Sequence, residues 1–299
     1  MKSQTITSAV QSGKILVSDG AWGTFLQKKG LQAGECPELW NLTHPDKVIE
    51  IAQSYINAGA DMIQTNSLGG THLKLVHFGL SNQVWEINEM AARLSKIIAG
   101  DDRWVIGSVG PTGKMLIMGD VTEEELYEAF KTQVMALEEG GADAICIETM
   151  SDIEEAVLAI RASKENTALE VICTFTFDHI SVNEYRTMMG VSPSEAAIAC
   201  VNAGADIIGA NCGNGMKDMI TIVAQMRETN PNIPILVHAN AGLPQLKNGE
   251  IFYPETPEQT KELIPQIIRA GANIIGGCCG TTPEHIEAIK EIVRKDYKS

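Results

Sequence analysis

The sequence contains no run of about 18 apolar residues, so it offers no candidate membrane-spanning helix. Basic residues are scarce: 23 Lys and Arg stand against 38 Asp and Glu, for a formal net charge of −15. With no Lys/Arg stripe, the charge argues against nucleic acid as a partner and is read as serving solubility. The start, Met1–Lys2–Ser3–Gln4–Thr5–Ile6–Thr7, lacks the apolar stretch of a signal peptide. The seven cysteines are odd in number, spread over a long chain and nowhere spaced C-x-x-C, so neither a secreted disulfide framework nor a local zinc knuckle is indicated. A reducing cytoplasm is the expected compartment.

A large core is available, since 44% of the residues are hydrophobic. One phrase recurs between a helical pattern and a β-branched run. Its copies are Ala58–Gly59–Ala60–Asp61, Gly140–Gly141–Ala142–Asp143, Ala203–Gly204–Ala205–Asp206 and Ala270–Gly271–Ala272–Asn273. Each glycine reads as a left-handed helix C-cap with a strand following, which marks a repeated αβ unit. Such runs predict eight strands, near 14–19, 61–66, 104–109, 143–148, 170–176, 206–211, 233–239 and 273–278. Helix starts are expected at Thr122-x-x-Glu125, Ser151-x-x-Glu154, Ser192–Pro193-x-Glu195 and Thr256–Pro257-x-Gln259. A strand followed by a helix, eight times, predicts a single-domain (β/α)₈ TIM barrel over residues 1–299. The competing doubly wound sheet lacks a Gly-x-Gly-x-x-Gly in its first βα turn.

In such a barrel the carboxyl tips of all strands converge on one mouth. The tips carry Asp19–Gly20, Thr65–Asn66, Gly110–Pro111–Thr112–Gly113, Glu148–Thr149, Asn211–Cys212, Asn240 and Cys278–Cys279. None of them carries a lysine, which weighs against a Schiff-base aldolase, and no histidine cluster suggests an amidohydrolase. Cys212, Cys278 and Cys279 together would form a soft, open metal site. Spacing alone leaves packing as an equal alternative, because the contacts are non-local; Cys36, Cys146, Cys173 and Cys200 read as packing residues. His238 shares a strand face with Asn240 and reads as a core residue or one behind the site.

Six blocks in order carry a resemblance over nearly the whole chain. They are Asp19–Gly20–Ala21–Trp22–Gly23–Thr24, Gly110–Pro111–Thr112–Gly113, Glu148–Thr149–Met150–Ser151–Asp152, Asn211–Cys212, Asn240–Ala241–Gly242, and Gly276–Gly277–Cys278–Cys279–Gly280–Thr281–Thr282–Pro283–Glu284–His285. The chain resembles the homocysteine S-methyltransferase family. Leu243–Pro244, Asn248–Gly249 and Tyr253–Pro254 bring it nearest to the homocysteine-binding barrel of the cobalamin-dependent branch. The resemblance implies Zn²⁺ held by Cys212, Cys278 and Cys279, which would favour the thiolate of a bound thiol. It implies Glu148 and Asp19 near the substrate ammonium, with Gly20, Thr24, Asn66 and Asn240 lining the site. Thr65 and Thr149 are weaker lining candidates, and Thr282 reads as a helix N-cap. The implied reaction is in-line attack of homocysteine sulfur on an electrophilic methyl group, giving methionine. The barrel occupies all 299 residues, so the donor is expected from outside: a methyl-corrinoid on a partner protein or free methylcobalamin, with S-methylmethionine or a betaine as alternatives. Another small thiol acceptor, a barrel lyase or hydrolase, and a non-catalytic zinc-binding protein are the competing readings.

Overall fold

The computed structural model describes residues 4–247 and 249–297; Asn248 of the Asn248–Gly249 pair and residues 1–3 lie outside them. Eight strands form one parallel sheet: β1 (Leu16–Val17), β2 (Met62–Gln64), β3 (Trp104–Val109), β4 (Ala144–Met150), β5 (Glu170–Phe175), β6 (Ile207–Gly215), β7 (Ile235–Asn240) and β8 (Ile274–Gly277). Their order is β1-β8-β7-β6-β5-β4-β3-β2, the near-closed cylinder of a (β/α)₈ TIM barrel. No helix among the described residues is long and apolar enough to cross a membrane.

The recurring phrase does more than end helices. Its glycines adopt positive φ, from 97° at Gly59 to 119° at Gly271. The residue two further on then ties neighbouring strands together. Asp61 donates its N–H to the Val17 carbonyl at 2.7 Å and accepts the Val17 N–H on its carboxylate at 2.9 Å. Asp143 does the same with Val105, Asp206 with Val171, and Asn273, through its amide oxygen, with Ile235. Each is met by a basic side chain from a helix: Lys290, Lys96, Lys164 and Arg227 in that order. At the seam between β1 and β2 no ladder forms, and the Asp61–Val17 pair with the bond from Gln64 N–H to Asp19 Oδ2 (2.8 Å) takes its place.

Three capping boxes form as expected, at Thr122/Glu125, Ser192/Glu195 and Thr256/Gln259. The fourth is corrected. Asp152, not Ser151, caps the helix Ile153–Asn166, accepting the Glu154 N–H at 2.9 Å, because the strand runs on to Met150. Two hairpins, Asp178–Ser181 with Glu184–Arg186 after β5 and Gln245–Lys247 with Glu250–Phe252 after β7, add to the mouth.

The barrel interior alternates with period two. Its lower layer is apolar: Leu16, Met62, Ile106, Cys146, Ile172, Ile207, Leu236 and Ile274, covered by Ile6, Ala9 and Val10 of the helix Ile6–Gln11. The Glu170 carboxylate at the start of β5 accepts the N–H groups of Ile6 (2.6 Å) and Thr7 (3.0 Å), holding that helix as a plug. Glu170→Ala is expected to lower stability by about 1–2 kcal/mol in denaturant unfolding while leaving the distant mouth intact.

Candidate active site

Two residues beyond the apolar layer, the inward positions turn polar: Ser18, Gln64, Ser108, Glu148, Thr174 and His238 are all buried. Two buried acids share Gln64. Its amide nitrogen donates to both Glu148 oxygens at 2.9 Å, and its backbone N–H donates to Asp19. Glu148 also accepts from the Ser108 hydroxyl, and Asp19 from Trp22 Nε1 at 2.8 Å. Among the described residues neither acid has a basic partner. Burial pushes the pKa of each up to about 7.

Above this floor three sulfurs meet. Cys212, Cys278 and Cys279 offer sulfur atoms that all lie within 4.8 Å of one another, and no other such group of three metal-ligating residues occurs among the described residues. Cys212 and Cys279 sulfurs are 3.9 Å apart, close to the separation of about 3.8 Å that two Zn–S bonds of about 2.3 Å at a tetrahedral angle require. All seven cysteines are free, so Cys278 and Cys279 form no vicinal disulfide, and Cys146, Cys173 and Cys200 are packed in the interior. The Cys212 and Cys278 thiols stabilise a thiolate on Cys279, whose pKa falls to about 3, while Cys278 is held well above the usual range. Three thiolates this close need a cation between them. The donor set fits a soft divalent metal, and Asn240, on the strand beside Cys278, adds a buried Oδ1 with no partner among the described residues.

Local backbone explains why these cysteines converge. The β6–β7 register breaks after Asn211↔His238 and resumes at Gly215↔Asn240, so Cys212 sits in a bulge with φ 59°. Thr149, after Glu148, has φ 63°. A left-handed non-glycine residue costs roughly 1–2 kcal/mol, and Asn211 braces both positions. Its side chain accepts the Thr149 N–H and the Thr174 hydroxyl and donates to Thr149 Oγ1, each at 2.7 Å. Cys278 and Cys279 are fixed to β7 through Cys278 N–H to Ala239 O (2.7 Å) and Ala241 N–H to Cys279 O (3.0 Å). A Cβ on Gly277 would stand 2.2 Å from Thr281 Oγ1, and one on Gly280 would stand 2.2 Å from the Tyr253 ring. The Tyr253 side chain in turn helps to hold the Cys279 pKa down.

A cavity of about 180 Å³ opens beside the thiols. Of the residues proposed from sequence, Gly20, Asn66, Glu148, Cys278 and Cys279 line it, as do Thr65 and Thr149. Asp19 lies beneath it and shapes the Gly20–Trp22 turn. Thr24 faces a neighbouring recess, accepting the Gly280 N–H at 3.3 Å, and Thr282 occupies the N-cap of the helix Pro283–Asp296. Sequence reading gave no role to Gln64, Ser108 or Glu38, and named Asn211 and Tyr253 only as parts of motifs. Period-two counting back from the strand tips would have found the first two; Glu38 and Tyr253 reach the mouth from loops and leave no local signal. His238 lines the cavity floor, with burial holding its pKa down at about 4.

The chain shares this architecture with known proteins. It is 30% identical over 296 residues to a methionine synthase of Mycobacterium leprae (strain TN), covering 94% of this chain and 24% of that one. The match to the Mycobacterium tuberculosis methionine synthase is also 30%, over 298 residues, 95% of this chain and 25% of the relative. The chain thus spans about a quarter of the length of these relatives. The solved homocysteine methyltransferase MmuM of Escherichia coli, in its metallated form, superposes with a TM-score of 0.77 at 22% identity, covering 95% of this chain and 98% of MmuM. A profile of the family "Homocysteine S-methyltransferase" matches residues 16–293. With that match over nearly its whole length, the chain belongs to the homocysteine S-methyltransferase family.

Proposed function

We propose that the protein methylates the thiol of homocysteine to give methionine, with Zn²⁺ held by Cys212, Cys278 and Cys279. The observation that carries this reading is the meeting of three sulfurs at one end of a cavity whose floor holds a buried carboxylate. When bound, the metal supplies a Lewis acid that lowers the pKa of an added thiol and leaves it nucleophilic. Asn240, whose Oδ1 has no partner among the described residues, is the candidate for a fourth, displaceable ligand. Glu148 pairs with the substrate ammonium, and Gln64 and Ser108 hold its carboxylate in place. Among the described residues the lining has no Lys or Arg, so the substrate carboxylate falls to backbone N–H groups around Gly20.

With the acceptor so placed, its sulfur faces the open mouth. Its lone pair forms the new S–C bond as the bond from methyl to donor breaks, the electron pair leaves with the donor, and the thiol proton passes to solvent. The donor we favour is a methyl-corrinoid, on a partner protein or as free methylcobalamin, in line with the match to methionine synthases. A single barrel acting as one domain in a reducing cytoplasm suits three free thiols.

A donor screen tests the proposal. Reduced, zinc-loaded protein is mixed with homocysteine and, in turn, methylcobalamin, S-methylmethionine or a betaine. Methionine formation with methylcobalamin is the expected result; formation only with a sulfonium or betaine would move the donor to that class. No methionine with any donor would overturn the reading in favour of a lyase, a hydrolase or a binding protein.

A further inference from the structure

We infer that His238 contacts the acceptor directly, its Nε2 accepting a hydrogen bond from the same amino group that Glu148 pairs with, so that it sets the preference for an α-amino acid over a plain thiol. This rests on the homocysteine reading above. His238 is 1% exposed, lines the cavity floor, and its Nε2 is buried without a hydrogen-bond partner among the described residues. Buried ring nitrogens are normally satisfied, so an orphan on a residue that lines a ligand cavity points to a partner that arrives with the ligand.

The ring's position is built rather than accidental. A Cβ on Gly276 would stand 2.6 Å from Asp19 O, 2.8 Å from Ser18 Cβ and 2.9 Å from His238 Cδ2, so the glycine lets β1 and the imidazole pack closely against β8 together. The polar neighbour in register, Asn211, bonds Thr149 and Thr174 instead of His238. The charge of the cavity selects the ligand group: its lining holds two carboxylates, Glu38 and Glu148, and, among the described residues, no Lys or Arg. A neutral imidazole and a carboxylate lining one cavity make a site for a cationic N–H donor. An ammonium carries three such donors, and the Glu148 oxygens are already shared with Gln64 and Ser108.

Calorimetric titration of the zinc-loaded full chain tests this with two thiols, homocysteine and 4-mercaptobutanoate, which lacks only the amino group. His238→Leu is expected to weaken homocysteine binding at least about tenfold, to leave 4-mercaptobutanoate binding unchanged, and to keep the zinc content. His238→Gln, which restores an acceptor oxygen, should recover part of the loss. His238→Met stands in should the Leu variant lose zinc. Equal losses for both thiols, or undiminished homocysteine binding, would overturn the inference alone. A wild-type protein that binds no homocysteine would overturn the functional reading and this inference with it.

Discussion

Cys212→Ala is expected to leave the barrel folded and to abolish both zinc retention and methyl transfer, the latter by on the order of 10³-fold or more. The fold stands apart from the sulfurs: the apolar layer, the interstrand Asp pairs and the plug helix contain none of the three cysteines. The thiol, by contrast, is one of the three sulfur donors found among the described residues, and two remaining thiols do not close the set around an ion. Because Cys212 holds φ 59°, Cys212→Gly should be more stable than Cys212→Ala by about 1 kcal/mol while equally inactive. Metal analysis, activity and denaturant unfolding of the two variants check this. An active, metal-free Cys212→Ala protein would remove the metal from the account.

Glu148→Gln is expected to weaken homocysteine binding roughly ten- to hundredfold, since a charge-assisted bond to the ammonium becomes a neutral one. The pH dependence gives the sharper test. Burial raises the Glu148 pKa to about 7, so the carboxylate is charged only above that point, and wild-type affinity for the amino acid should fall as pH drops through 7. The variant should lose that component of the slope. Stability moves the other way. A carboxyl whose folded pKa is raised is most favourable to the fold below its unfolded value, near 4, and that contribution is lost as pH climbs through 7. Glu148→Gln should therefore gain stability over wild type above pH 7 and lose the advantage near pH 4. Calorimetric binding and denaturant unfolding at both ends of the range read the two effects.

The division between what the sequence discloses and what it hides follows interaction range. All eight strands are legible because β-branched runs and a repeated Gly-Ala-Asp phrase are local signals. The job of the Asp in that phrase is not legible, because its partners Val17, Val105 and Val171 lie 35 to 44 residues away. The cysteines stand out at strand tips, and their convergence needs the closed topology to be seen. Gln64 shows the remaining gap. Reading the tip of β2 favours Thr65 and Asn66, yet parity with Met62 turns Gln64 inward to hold both acids. Asn66 spends its amide on Pro37 O and Asn41 Oδ1. Tyr253 and Glu38 come from loops whose reach no periodicity encodes.

X-ray absorption at the zinc edge, on stoichiometrically loaded protein before and after homocysteine, bears on the sulfur site most directly. Three sulfur neighbours and one lighter atom, changing to four sulfurs when homocysteine binds, is the expected result. A first shell with fewer than three sulfurs, or one that homocysteine leaves unchanged, would contradict it.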